Sequence, residues 1–290
     1  MNPKFSQKQF KTCLRYPGGK SRAVTKMETY FPDLRNYVEF REPFLGGGSV
    51  AIHVSKKYPH LKITVNDLYE PLVNFWVILQ QFGSELTEKL MDYKSTHPDP
   101  ESARELFINS KEIINKIDID SIERAAAFYI VNKCSFSGLT ESSSFSQQAS
   151  NSNFSMRGIE KLPGYSEIIS NWHINGYSYE HLMENEIHDG LFMYLDPPYD
   201  IKDNLYGKKG SMHKGFDHDK FAHDCDTHSH IDMMVSYNSD QLVKNRFQSW
   251  NAAEFDLTYT MRSVGEYMRD QQKRKELLLF NYQLEDSVYG

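Results

Sequence analysis

Asp196-Pro197-Pro198-Tyr199 sets a carboxylate, a carbonyl and an aromatic ring in four consecutive positions. These groups suit chemistry on a flat ring that carries an amino group, because carboxylate and carbonyl accept N–H bonds while the tyrosine ring stacks. The preceding run, Leu191-Phe192-Met193-Tyr194-Leu195, is apolar and of strand length, so it reads as a buried strand. Two prolines then fix φ and remove backbone donors, which ends the strand in a stiff turn. Ligands of open α/β sheets sit at such carboxyl ends. Four residues alone also fit a Pro-Pro turn with a capping Asp, so the rest of the chain has to decide.

A second group lies upstream. Gly46-Gly47-Gly48-Ser49-Val50-Ala51 fits G-x-G-x-x-A, where glycines allow close backbone approach and a helix N-terminus faces the ligand. Asp67 follows about 20 residues later, at the end of the next strand, where a carboxylate meets ribose hydroxyls in nucleotide sites. An adenosine-bearing cofactor is implied, either a nicotinamide dinucleotide or S-adenosylmethionine; a purely structural glycine turn is the alternative. Leu14-Arg15-Tyr16-Pro17-Gly18-Gly19-Lys20-Ser21 is not a P-loop, since G-x-x-x-x-G-K-S would need glycine where Leu14 stands. It remains a Gly-Gly turn with an aromatic and a lysine, suited to capping an adenine ring and a carboxylate.

The elements that must hold these groups read as a doubly wound α/β sheet. Residues Asn36 to Phe40 alternate like a strand, helical residues resume at Val50 to Val54, and Leu61 to Val65 form a second strand. From about Pro71 to Arg124 the pattern is helical and acidic, including Ile113 to Ile117, and Ala125 to Tyr129 continues it. A polar run from Ser142 to Asn153 has little to bury and reads as a mobile loop. Strand signals return at 191–195, 233–237, 255–259 and 277–281. The expected organisation is therefore a sheet domain of residues 1–75 and 166–290, interrupted by a helical insert of 76–165 with a mobile polar loop near 142–155.

The chain has 290 residues, 39% apolar and 25% charged, and a mean hydropathy of −0.61. No apolar run approaches the ~18 residues of a membrane span, and the first residues lack a signal-peptide core. Three distant cysteines, Cys13, Cys134 and Cys225, make no disulfide framework, so a reducing, intracellular setting, the cytoplasm or a host cell, is expected. A net charge of −6 argues against a nucleic-acid partner only for the chain as a whole. Bases cluster locally, from Lys4 to Lys26, from Lys202 to Lys214 and around Arg269 to Lys275. His213, His218, His223, Cys225, His228 and His230 crowd one stretch without recognised ligand spacing, and no metal is expected.

Taken together and in this order, Arg15-Tyr16-Pro17-Gly18-Gly19-Lys20, Glu42-Pro43-Phe44-Leu45-Gly46-Gly47-Gly48-Ser49-Val50, Asn66-Asp67-Leu68 and Asp196-Pro197-Pro198-Tyr199 resemble the Dam-type (D12 class, alpha group) DNA adenine-N6 methyltransferases. Weaker matches run from Asn132 to Leu139, from Ser236 to Asp240 and from Arg274 to Leu278. The resemblance implies an S-adenosylmethionine-dependent, Rossmann-like sheet with a target-recognition insert, acting on double-stranded DNA. By position, Tyr16, Lys20, Phe44, Gly46, Gly48, Asp67 and Asp196 would contact the cofactor, with Lys20 near its carboxylate. Asp196 and the Pro197 carbonyl would accept the two N–H bonds of a flipped adenine's amino group, favouring a pyramidal nitrogen, and Tyr199 would stack on the base. Lys133, Ser137, Thr140 and Arg157 are the DNA-binding candidates. GATC-directed members carry asparagine and arginine where this chain has Ser137 and Glu141, and neither replaces an arginine fork on guanine, so the DNA sequence read stays open. A monomer is the simplest arrangement, with a dimer on DNA as the alternative. Two other enzyme readings remain: a nicotinamide-dependent oxidoreductase, and a methyltransferase acting on RNA adenine, cytosine N4 or a protein amide. The non-enzymatic reading is a DNA- or cofactor-binding protein without turnover.

Overall fold

The computed structural model describes residues 11–16, 19–136, 143–199, 215–256 and 275–284. Within them, β1 (Glu39–Glu42), β2 (Lys62–Asn66), β3 (His173–Asn175), β4 (Leu191–Leu195), β5 (Asp232–Asn238), β6 (Asn251–Asp256) and β7 (Lys275–Phe280) form one sheet. Its order is β3-β2-β1-β4-β5-β7-β6. Neighbours from β3 to β5 pair in parallel, whereas β7 is antiparallel to both β5 and β6. Side chains alternate across each strand, so the sheet sorts its residues into two apolar layers. Phe192 and Tyr194 of β4 face one layer with Phe40, Ile63 and Leu278. Leu191, Met193 and Leu195 face the other with Met233, Val235 and Leu277.

The helices are α1 (Val24–Met27), α2 (Ser49–Lys57), α3 (Glu70–Gln81), α4 (Gly83–Thr96), α5 (Pro100–Ile113), α6 (Ser121–Cys134), α7 (Gln147–Asn153), α8 (Met156–Ile159), α9 (Leu162–Ile168), α10 (Glu180–Glu184), α11 (His218–Thr227) and α12 (Gln241–Arg246). Side-chain caps start several of them. Asp99 accepts from Glu101 and Ser102 backbone N–H groups ahead of Pro100, Asp120 caps α6, and Asp217 caps α11. Helices α1 to α6, α8 and α9 bury residues in the first layer, and α10 to α12 in the second.

The expected loop near 142–155 differs from what is found. Ser146 caps α7 through the Ala149 N–H at 3.2 Å, and Ala149, Ser150 and Phe154 are buried. Phe154 lies 6.4 Å from the Tyr129 ring. Composition missed this because a short helix can be held by two or three buried contacts while staying polar elsewhere. The strand expected at 36–40 starts later, at Glu39, because Asp33 caps a 3₁₀ turn over Leu34–Asn36. The final antiparallel pair uses 251–256 in place of 255–259, whose last three residues lie outside the described ones. The helical reading of 113–117 ends at Ile113, and β3 was not foreseen. The expected boundaries at 75/76 and 165/166 fall inside α3 and α9.

One charged network crosses the apolar layer beside β1. Glu39 accepts from Arg41 Nε at 2.9 Å and Thr64 Oγ1 at 2.7 Å, and meets His188 Nε2 at 2.9 Å. The Arg41 guanidinium also donates to the carbonyls of Leu182, Asn185 and Glu186. Burial alone would raise the Glu39 carboxyl, but hydrogen bonds from Arg41, His188 and Thr64 hold it at about 2 against an ordinary 4.5. Arg41→Ala strands a buried carboxylate and should cost about 3–5 kcal/mol in urea unfolding at pH 7. The depressed pKa makes Glu39's stabilisation full above pH 4.5 and lost as pH falls towards 2. Glu39→Gln should therefore flatten the acid limb of a stability–pH profile.

Candidate active site

The sheet order reverses at β1 and β4, and a cavity of about 350 Å³ opens at the carboxyl ends of β1, β2 and β4. That is the crevice where open α/β sheets take ligands. On leaving β1 the chain turns through Gly46 (φ 47°) and Gly48 (φ 66°), both left-handed, before α2 begins. A Cβ at Gly46 would come within 2.8 Å of the Tyr16 ring, and one at Gly48 within 3.0 Å of Trp76. The loop is thus clamped between Tyr16 and Trp76, whose indole N–H donates to the Gly46 carbonyl at 3.2 Å.

Two buried carboxylates brace this loop. Asp67 accepts the Gly46 N–H at 2.8 Å and the Tyr69 N–H at 2.9 Å, while Glu42 accepts the Ala51 N–H at 2.8 Å. Burial pushes both carboxyls up, Glu42 well above the ordinary range. Opposite, Phe44 stacks on Tyr179 at 5.3 Å and meets Phe216 edge-on at 5.8 Å. The result is one cavity lined by both aromatic side chains and buried carboxyl groups.

The other end of the cavity is built on charge. Lys20 Nζ lies 3.0 Å from each Asp196 oxygen and 3.2 Å from Glu276 Oε1, and also bonds the Tyr199 hydroxyl. Lys20 is 2% and Glu276 1% exposed, against 23% for Asp196. Burial works against the Lys20 charge, but Asp196 and Glu276 outweigh it and set its pKa well above the ordinary lysine value. Glu276 is itself raised, by burial first, with Lys20 opposing. Tyr199 donates to Glu276 at 2.8 Å, and Ser236 donates to Asp196 Oδ1 at 2.8 Å. The carboxylate and the ring of the Pro-Pro turn are thereby held from behind while the partly exposed face of Asp196 looks into the cavity.

Tyr16, Lys20, Phe44, Gly46, Gly48, Asp67, Asp196, Pro197 and Tyr199 all line this one cavity. Two placements differ in detail from expectation. The Lys20 ammonium sits on protein carboxylates, and both Asp67 oxygens already hold backbone N–H groups. Lys133 lies outside the cavity lining, over the Tyr129 ring at 5.1 Å, and burial lowers its pKa to about 8. Arg157 is exposed on α8. Ser137, Thr140, Glu141 and the lysines from 202 to 214 lie outside the described residues. Cys225 is buried in the second apolar layer, and His228 Nδ1 meets the Asp224 carbonyl at 2.9 Å. Glu42, Ser236 and Glu276 stand in the blocks matched from sequence without a role assigned to them, and Tyr179 stands in none. The signal for Glu276 is a lone acid opening the apolar run Leu277-Leu278-Leu279.

The family model for D12 class N6 adenine-specific DNA methyltransferases matches residues 16–261. A Type II methyltransferase of Lactococcus lactis subsp. cremoris is 24% identical over 282 residues, 92% of this chain and 94% of that protein. One from Methanocaldococcus jannaschii is 26% identical over 202 residues, 66% of this chain and 70% of that protein. A third, from Paramecium bursaria Chlorella virus NC1A, is 21% identical over 281 residues and covers 94% of this chain and 100% of its own length.

Gly48→Ala forces a Cβ into a left-handed turn against Trp76 and should cost about 1–2 kcal/mol in thermal unfolding. Gly164→Ala in α9 meets no atom within 4 Å and should be neutral or stabilising by up to ~1 kcal/mol.

Proposed function

The chain belongs to the D12 class N6 adenine-specific DNA methyltransferase family, and from that premise we propose that the cavity binds S-adenosylmethionine over the glycine loop and methylates an adenine held at Asp196–Tyr199. The family implies an S-adenosylmethionine-dependent reaction with DNA as substrate. The observation that carries the site assignment is the convergence of the glycine loop, Asp67 and the Asp196-Pro197-Pro198-Tyr199 turn on one cavity.

The residues present fit the cofactor. A Cβ at Gly46 or Gly47 would strike Tyr16 and one at Gly48 would crowd Trp76, so the loop's close packing depends on bare backbone. Asp67 and Glu42 supply buried acceptors for ribose or amino groups, and Phe44 with Tyr179 supplies a face for adenine. When bound, S-adenosylmethionine supplies the sulfonium methyl that is transferred.

The protein's share is positioning and electrostatics. Adenine's amino lone pair is delocalised into its ring and points nowhere useful. Asp196 and the Pro197 carbonyl accept its two N–H bonds, which favours a pyramidal nitrogen with a directed lone pair. Ser236 and Lys20 fix the plane of the Asp196 carboxylate, so the acceptor is in place before the base arrives. Taking the base out of the duplex costs a few kcal/mol; stacking on Tyr199, worth ~1–3 kcal/mol, offsets part of it. The helical segment from α3 to α9 is the target-recognition part in this reading, with Lys133, Ser137, Thr140 and Arg157 as the candidate DNA contacts.

Labelled S-adenosylmethionine and unmethylated plasmid DNA test this directly. Asp196→Ala should cut methyl transfer by at least about 10²–10³-fold while S-adenosylhomocysteine still binds; near-normal turnover would remove Asp196 from the reacting centre. Tyr199→Phe should keep its stacking. Tyr199→Ala should raise the KM for DNA by roughly 5–150-fold, the equivalent of ~1–3 kcal/mol.

A further inference from the structure

Residues 11–16 form a strap between the helical segment and the glycine loop. At one end, Asn132 of α6 holds both backbone groups of Arg15, accepting its N–H at 2.9 Å and donating to its carbonyl at 2.6 Å. A single side-chain amide thus imitates a neighbouring strand for one residue. Asn132 is fully buried, so neither bond is exchanged for water without cost. The Arg15 guanidinium adds a third tie, to the Ser135 carbonyl at 2.7 Å. At the other end, the Thr12 hydroxyl donates to the Gly47 carbonyl, and Tyr16 packs on Gly46 and Gly47. Cys13 and Leu14 are buried between the two, so the strap has little freedom to take up a shift at either end.

The α6 end of this linkage is where the chain continues towards the expected recognition residues. Ser135 bridges to Phe145, Phe136 N–H donates to the Ser144 carbonyl at 3.0 Å, and Ser146 N–H to the Cys134 carbonyl at 2.9 Å. A load on these residues therefore reaches Asn132 and Arg15 directly. We propose that Asn132 is a positioning residue that couples DNA binding on the helical segment to the shape of the cofactor loop, through Arg15, Tyr16 and Thr12. The proposal rests on the cofactor and DNA reading above. Coupling of this kind is reciprocal: DNA changes cofactor affinity by the factor that cofactor changes DNA affinity.

The test titrates the full chain with S-adenosylhomocysteine, which cannot transfer a methyl group, alone and with saturating unmethylated plasmid DNA. The ratio of the two dissociation constants should be about five or more in the unmodified chain, and should fall to within about twofold of one in Asn132→Ala. Because Asn132→Ala also empties a buried polar site, Thr12→Val supplies the second arm. It keeps the side chain's shape, removes the hydroxyl's bond to the Gly47 carbonyl and the one it accepts from the Leu14 N–H, leaves Asn132 and Arg15 in place, and should lose the ratio with a smaller drop in melting temperature than Asn132→Ala. A ratio unchanged in both variants, or a ratio of one in the unmodified chain, overturns the linkage while leaving the cofactor site standing. Failure of the unmodified chain to bind S-adenosylhomocysteine at all would remove the cofactor reading and the linkage with it.

Discussion

The buried ammonium of Lys20 is the interaction on which the site depends. It joins three parts of the chain that are far apart in sequence: the segment before α1, the turn after β4, and β7. Two carboxylates that share one cation would repel each other in a low-dielectric interior without it. The ammonium offsets that repulsion by bonding Asp196 and pairing with Glu276. Breaking such a pair leaves an uncompensated buried charge, which is far more costly than never having built it. The arrangement therefore fixes where the Pro-Pro turn can sit, and with it the aromatic ring of Tyr199.

Sheet topology explains how Glu276 reaches that point. β7 inserts antiparallel between β5 and β6, pairing Glu276 with Asn238 on one side and Phe255 on the other. Running against its neighbours, β7 presents its first residues at the edge where the parallel strands end. Its apolar remainder, Leu277 to Phe280, feeds both layers of the core. The same edge carries the glycine loop after β1 and Asp67 after β2. The proposed cofactor cradle and the carboxylate proposed to meet the base thus share one sheet edge, braced by Asp67, Glu42 and Lys20.

Much of this was legible in the sequence because it is local. The run 191–195 is apolar and bounded by two prolines, so strand and turn were both readable, and the glycine loop carried its own spacing. What was not legible depends on distant partners. Nothing near Lys20 indicates that its charge is met by residues 196 and 276. Likewise Asp67, expected on a ribose, has its oxygens on Gly46 and Tyr69 N–H groups. The run 143–155 looked like a loop because serine, glutamine and asparagine dominate it, yet a capped helix seats Ala149 and Phe154 against its surroundings. β3, only three residues long, is too short to show alternation; its pairing with β2 makes it a strand.

Methyl transfer to the exocyclic nitrogen of adenine can be read by nucleoside mass spectrometry, on unmethylated DNA incubated with the full chain and S-adenosylmethionine and then digested to nucleosides. N6-methyladenine should accumulate with time and disappear when Asp196 is replaced by alanine. Methyl groups on cytosine N4, or none on any base, would contradict it.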